Sequence, residues 1–496
     1  MRRLRQALSC LVLCALLACA MPLPASAASD VPEDFWAKAD IDRCLALRYF
    51  YPESDGSFGV GKEMTRSEFL VVLCRLLGWK PAAPARPVYS DVPEKAWYAG
   101  VVETAYHQGA ITNQDGTFRP NDLITRSEAA AMLVRALGYG SIAGLIQNIP
   151  LPFRDVRSNS GYIIMAYGLG LMDGTSVTAF SPDGHVTREQ AAIILMRLHD
   201  KLNGDTTSRI GIATGAENLP ELKGYEAVGV TGAKLAYNGE PQITWVPAAE
   251  NAEAIRTAVT SAGTKALLYV TGGTYHLREN DEEKMAAVLL QTVKDGDYDG
   301  LFLDISGLTS TTQRNTLTAT ARLLREGLGD RLLFIVAEAP SWKGVVSGYD
   351  YAALGEIVDR LVLRVSQRED LARERSVAPL EPLERIYYGL NRLRGVVDAN
   401  KLTLLLTSTA SDWDGENAVP VTGEDLTEYL AEQGARSHYS DRYACAYLPR
   451  ENGSTIWYLN AQSIKERVQL ARLFGGGHLC LSDLNHALPE VLEAMP

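Results

Sequence analysis

Two sets of side chains in this sequence have the types and spacing for chemistry. One recurs three times: "MTRSEFLVVLCRLLGW" from Met64, "ITRSEAAAMLVRALGY" from Ile124 and "VTREQAAIILMRLHD" from Val186, each with an arginine directly after a threonine. Thr65 with Glu68, Thr125 with Glu128 and Thr187 with Gln190 fit a capping box, which satisfies free amides at a helix start. Capping does not call for Arg66, Arg126 or Arg188, because a helix N-terminus already carries partial positive charge. A guanidinium beside exposed amides suits an anion, so these three arginines are read as anion binders. A second arginine lies nine residues on, at Arg75, Arg135 and Arg197, on the opposite helix face, and is assigned to folding. The other set is "YDGLFLDISGL" at 298–308, where Phe302, Asp304 and Ser306 alternate and so share one face of a strand. A serine hydroxyl titrates far too high to act as a general acid near neutral pH, so this stretch holds one usable carboxylate on that face.

The elements that carry these residues belong to a long chain. At 496 residues, two to four domains are expected, and 46% hydrophobic with 22% charged residues describes a folded globular protein. The opening "MRRLRQALSCLVLCALLACAMPLPASAASD" has the layout of a secretory signal with cleavage after Ala27. A rival reading is a lipoprotein signal, "LLAC", acylated at Cys19. The apolar run is short for a bilayer span, and no membrane span is expected elsewhere. Removing the leader takes three arginines and no acids, so the net charge moves from −12 to −15. Such a chain is a poor general partner for nucleic acid or anionic membrane, and any anionic ligand needs a local basic site. The four remaining cysteines, Cys44, Cys74, Cys445 and Cys480, are too sparse for a disulfide scaffold. No metal and no cofactor are expected.

The arginine motif belongs to a repeat of about 60 residues, whose other marker is "SDVPEDFW" from Ser29, "SDVPEKAW" from Ser90 and "RDVRSNSGY" from Arg154. Each unit reads as an Asp-led helix, a Gly/Asp turn and a second amphipathic helix, over 29–80, 88–140 and 152–202. Units this small cannot bury their own apolar faces and must pack together. A polar linker at 203–209 follows. From 210 to 496, eight apolar β-rich runs alternate with helices, from "RIGIATG" to "GHLCLSDL". That pattern predicts a parallel (β/α)8 barrel, with an inserted subdomain at 411–463 between strands seven and eight. The fold class is therefore an all-α repeat body plus an α/β barrel.

The three repeats resemble S-layer homology domains, the modules that bind secondary cell-wall polysaccharide on Gram-positive-type bacteria. The resemblance rests on the Asp-Val-Pro start, the Asp-Gly-Thr-Phe turn and the Ile-Thr-Arg-x-Glu helix opening. It implies a pseudo-three-fold helical body whose grooves hold anionic, often pyruvylated, sugar. By motif, Arg66, Arg126 and Arg188 would meet the acid group, while Trp36 and Trp97 would shape the groove walls. In the third repeat Tyr162 is read as the replacement of the tryptophan.

The second half resembles glycoside hydrolase family 18, especially its cell-wall and spore-associated members, through "GYDYAALGEIVDRLVLRV" and "IWYLNAQSIKERVQLARLFGGGHLCLSDL". The family pattern on the fourth strand is Asp-Gly-x-(Asp/Asn)-x-Asp-x-Glu. Its Glu protonates the leaving oxygen, and the preceding Asp orients the substrate's acetamido group, which attacks the anomeric carbon. Here the pattern starts at Asp299, keeps Asp304, and ends in Ser306 with Phe302 as a further loss; all three alternating residues are expected at the barrel mouth. The sixth-strand Met-x-Tyr-Asp cluster is replaced by Arg364, Val365, Ser366 and Gln367, and the eighth-strand tryptophan by Leu481. His478 is expected at the wrong end of strand eight to serve as a base. The resemblance thus implies an exported, wall-anchored protein displaying a non-catalytic barrel that binds an aminosugar glycan or serves as structure. The alternative is an active hydrolase of peptidoglycan or a chitin-like polymer, with Glu338 as the relocated acid.

Overall fold

The computed structural model describes residues 28–82, 87–113, 115–204, 207–341, 344–365, 379–432 and 434–496. The leader with Cys19, and Ser366 and Gln367, lie outside the described residues. The chain divides into two compact units, one ending at Asp200 and one starting at Lys201.

The first unit is helical: α1 (Lys38–Ala46), α2 (Arg66–Leu76), α3 (Ala99–His107), α4 (Arg126–Ala136), α5 (Gly140–Leu145), α6 (Ser160–Gly168) and α7 (Arg188–Leu202). Thr65 with Glu68 and Thr125 with Glu128 form complete capping boxes at α2 and α4. In the third repeat Gln190 still receives the Thr187 N–H, at 3.4 Å. The aspartate of each "DV" marker does not lead a helix, as the sequence suggested. Asp30 instead accepts the amides of Phe58, Gly59 and Val60, Asp91 those of Phe118 and Arg119, and Asp155 those of Phe180 and Ser181, at 2.5–2.9 Å. Each carboxylate thereby fixes a loop and buries the phenylalanine in it. The Phe180 amide holds the Asp155 carboxyl below its usual range, outweighing a smaller desolvation.

The repeats close on each other. Met64 N–H donates to the Val186 carbonyl, Val186 to Ile124, and Ile124 back to Met64, at 2.9, 3.1 and 2.9 Å. All three side chains are fully buried, so this exchange sits at the centre of the pseudo-three-fold body. Cys44 and Cys74 are free, buried thiols.

The second unit contains a closed barrel of eight parallel strands. These are β1 (Arg209–Ala213), β2 (Tyr225–Tyr237), β4 (Lys265–Gly273), β5 (Gly300–Ser306), β6 (Leu332–Glu338), β7 (Arg360–Arg364), β8 (Leu402–Leu406) and β14 (His478–Leu481). Closure comes from β1, which pairs in parallel with both β14 and β2. The eight apolar runs of the sequence are these eight strands. A ninth strand, β3 (Pro241–Trp245), turns back antiparallel on the far half of β2. Helices α8 (Ala249–Ser261), α9 (Glu282–Asp295), α10 (Thr311–Leu328), α11 (Tyr351–Ile357), α12 (Leu383–Leu393) and α14 (Ala461–Leu473) alternate with the strands, and α15 (Pro489–Ala494) follows β14.

The insertion between β8 and β14 is a five-stranded antiparallel sheet in the order β10, β9, β13, β12, β11, with helix α13 (Gly423–Ala431). Its strands are β9 (Ala410–Trp413), β10 (Ala418–Val421), β11 (His438–Ser440), β12 (Cys445–Pro449) and β13 (Thr455–Tyr458). The expected hairpin in "YACAYLPRENGSTIWYLN" is β12 with β13.

Alternation along the strands fills the barrel with one apolar cluster that includes Ile212, Leu267, Tyr269, Phe302, Phe334 and Leu405. Phe302 stands edge-on to Tyr269 and Phe334 at 5.1 and 5.6 Å. Gly229 on β2 makes room for that ring, since a Cβ there would come within 3.1 Å of Phe302. The sequence placed Phe302 at the mouth. It lies instead in the interior, because it is four residues short of the strand's C-terminal end.

His478 opens β14, at the barrel end opposite Ser306, with its Nδ1 2.8 Å from the Ser208 hydroxyl. Burial, aided by the Arg360 cation, pushes this imidazole down to about 4. The folded chain takes up the proton only near that pH, the unfolded chain already near 6.5. Stability is therefore expected to fall as pH drops from about 6.5 to about 4, and His478→Gln should flatten that part of a melting-temperature profile. An unchanged slope in His478→Gln would assign the acid sensitivity to other groups.

Candidate functional sites: an arginine groove and a clamped barrel mouth

A complete capping box fixes the start of α2 and α4, and the Thr187 N–H to Gln190 bond alone that of α7; each start aims the following arginine across a repeat boundary. Arg66 Nε donates to the Phe118 carbonyl at 2.8 Å, Arg126 to Phe180 at 2.8 Å, and Arg188 to Phe58 at 2.7 Å. Each guanidinium also lies over the ring of the same phenylalanine, at 5.0, 4.7 and 5.0 Å. Burial pulls all three below the ordinary arginine value, although nearby carboxylates partly oppose it. The arginines that sequence spacing singled out for anions therefore also staple each repeat to the next.

Where the first two repeats meet, the Arg66 staple edges a pocket of about 260 Å³ whose lining includes Arg66, Thr112, Arg119, Glu128 and Arg135, with Asn159 from the third repeat. Glu128 is ion-paired to Arg66 at 2.7 Å and also to Arg119. Three guanidinia against one carboxylate leave this lining net positive. Arg135 is held by Tyr162, whose hydroxyl accepts from Nε at 3.0 Å and whose ring lies 4.6 Å from the guanidinium carbon.

Two readings of the sequence change here. Arg66 and Arg135 do lie on opposite faces of their own type of helix, but they come from successive repeats and meet at one pocket. Arg135 of the second arginine set thus also lines this pocket. Tyr162 does not replace the tryptophan either: it lies inside α6, whereas Trp36 and Trp97 stand two residues before α1 and α3. Both tryptophans are 65% exposed, and neither is part of the pocket lining.

In the barrel, β5 carries the second candidate set. Asp299 precedes the strand at its N-terminal end and accepts the Ala266 amide at 2.8 Å, a structural tie far from the mouth. Asp304 is 4% exposed, and Arg364 grips its carboxylate with both terminal nitrogens, one at 2.9 Å. The Tyr269 hydroxyl donates to the same carboxylate. Burial works against the Arg364 cation, but the charge and hydrogen bonds of Asp304 overcome it and raise its pKa. The Tyr269 hydroxyl is pushed well up, first by burial and then by Asp304.

Glu338 ends β6 directly beside Arg364 in register, with 3.6 Å between Oε1 and Nη1. It is not the solvated loop carboxylate that is the bland reading of its position, since only 17% of its side chain is exposed. Ser306 is exposed, and its hydroxyl lies 3.5 Å from the Gly272 carbonyl. Leu481 ends β14 fully buried. Arg364, counted in the sequence only as a lost methionine, is the organising cation of the mouth. Its signal was present: one arginine closing the apolar run "RLVLRV". A bidentate Arg–Asp pair of this kind orients and neutralises. It offers no free carboxylate to position an acetamido group.

The sequence pattern of the S-layer homology domain matches residues 88–130 and 152–192. Among curated relatives, the chain is 34% identical over 178 residues to an exoglucanase, XynX, of Acetivibrio thermocellus, covering 34% of this chain and 16% of that protein. It is 34% identical over 113 residues to the middle cell wall protein of Brevibacillus brevis, covering 22% and 11%. The chain thus spans a small fraction of these relatives. Among solved structures, a chitinase from Chromobacterium violaceum superimposes with a TM-score of 0.50 at 19% identity, covering 58% of this chain and 97% of that one. A class V chitinase from Pseudomonas fluorescens gives 0.50 at 17%, covering 58% and 98%. The chain carries S-layer homology domains in its N-terminal unit and a barrel with the chitinase fold in its C-terminal unit.

Proposed function

We propose that this is an exported surface protein, held non-covalently by its N-terminal unit to anionic secondary cell-wall polysaccharide, that displays a non-catalytic barrel for glycan binding or structure. The positively lined pocket of Arg66, Arg119 and Arg135 supports the anchor, because it offers charge-assisted donors to a carboxylate such as a pyruvate ketal. The similarity to the middle cell wall protein of Brevibacillus brevis is in keeping with that address.

One observation carries the barrel reading: Arg364 occupies both oxygens of Asp304 while the adjoining acid position is Ser306. Two functions of the family mechanism are lost together, proton donation and orientation of the acetamido group. Glu338 does not replace the acid in this reading, because its carboxylate stands 3.6 Å from the Arg364 guanidinium, in the same charged cluster as Asp304.

The test is turnover of a fluorogenic aminosugar substrate by the wild type, Ser306→Glu and Glu338→Gln. No turnover is expected from any of them. Restoring an acid recovers about 10²–10⁴ in rate at most, and loss of substrate positioning is comparably large. Wild-type turnover that disappears in Glu338→Gln would show that the acid had moved one strand along, and would overturn the proposal.

A further inference from the structure

The three inter-repeat grooves are not copies of one another. Five residues beyond the ends of α1, α3 and α6 stand Tyr51, Thr112 and Asp173, in equivalent positions. Between the first and second repeats, Thr112 lines the pocket shared by Arg66 and Arg135. Between the second and third, that position is Asp173. Its carboxylate pairs with Arg197 at 2.7 Å, and its carbonyl accepts from the far nitrogen of Arg126. Arg126 and Arg197 are the counterparts of Arg66 and Arg135. A second difference acts in the same direction: Arg119, which follows Phe118 in the first groove, is replaced by Ser181 after Phe180.

We infer that Asp173 is a resident carboxylate that takes the place of an external acidic group in the groove between the second and third repeats, leaving the Arg66–Arg135 groove as the anion site of the two. The inference rests on the anchor reading given above. Its physics is competition. A carboxylate attached to the groove competes at an effective concentration of order millimolar or more, and an incoming acid would also meet its negative charge. The first groove has Thr112 at that position and one more guanidinium; its own carboxylate, Glu128, pairs with Arg66 and Arg119 where the second groove has Gln190, but three guanidinia against it leave the lining net positive.

The experiment is calorimetric titration of the full chain with the pyruvate ketal of a methyl hexoside as the probe. The wild type should bind at one of the two grooves, and Arg66→Ala should lose that site. Asp173→Thr, which installs the first groove's residue, should gain a second site. Asp173→Asn keeps the shape and removes the charge, so it should show the same gain and guards against a folding defect in the threonine variant. The double variant Arg66→Ala with Asp173→Thr should retain one site. If both Asp173 variants fold and bind no more probe than the wild type, the inference is wrong while the anchor reading stands. If Arg66→Ala leaves wild-type binding intact and the Asp173 variants add nothing, both fall.

Discussion

Arg364→Met is expected to destabilise the barrel by about 3–5 kcal/mol, the usual consequence of removing one partner from a buried ion pair. Arg364 serves two carboxylates at once, Asp304 in a bidentate grip and Glu338 at 3.6 Å. Without it, Asp304 keeps only the Tyr269 hydroxyl among the contacts described here, at a site 4% exposed. Equilibrium unfolding in urea or guanidinium chloride measures the loss. The double variant Arg364→Met with Asp304→Asn should recover most of it, because an amide can be buried beside methionine at far less cost than a charge. A single variant within about 0.5 kcal/mol of wild type, the range of an ordinary surface change, would show that Arg364 is not the required counter-ion. The same experiment bears on function: methionine is the residue of the family's sixth-strand cluster, so Arg364→Met also asks whether freeing Asp304 revives binding of an aminosugar.

Replacing Arg66 and Arg135 together by alanine is expected to abolish retention on purified cell walls. Each lost charge-assisted contact should weaken binding by about 1.5–3 kcal/mol, so the pair should reduce affinity by at least about a hundredfold. The control must separate binding from folding, because Arg66 also donates to the Phe118 carbonyl and covers its ring. Arg66→Lys with Arg135→Lys keeps the charge and loses the fork geometry. It should retain part of the binding while losing the inter-repeat hydrogen bond. Full wall retention by a folded double-alanine variant would move the anchor to another surface.

The sequence made the architecture legible because periodicity survives mutation of single residues. The repeat showed in three copies of one helix start, and the eight strands showed as eight apolar runs, since parallel strands are buried on both faces. The sites were less legible, for a geometrical reason. Asp304 and Arg364 are sixty positions apart and belong to strands that are not adjacent in the barrel, so neither local spacing nor motif links them. Read against the family pattern, Arg364 counted as a lost methionine and Asp304 as a surviving relic, when each is the other's partner. The arginine sets failed in a related way. Helical angle correctly separated Arg66 from Arg75, but only packing of one repeat on the next brings Arg66 to Arg135. Tyr162 was misplaced because the third repeat reaches its helix in fewer residues after Asp155 than the others do after Asp30 and Asp91.

The exchange of amides among Met64, Val186 and Ile124 gives this helical unit a property that linear repeat arrays lack. In an open stack the end units have a bare face, need special capping sequences and fray first, so unfolding can creep inward from either end. Three units that hand hydrogen bonds around a circle have no end. Melting any one of them opens two joints at once and leaves a buried N–H unpaired on one neighbour and a buried carbonyl on the other. The helical unit should therefore be lost as a whole or not at all, which would let the proposed anchor hold without wearing away repeat by repeat.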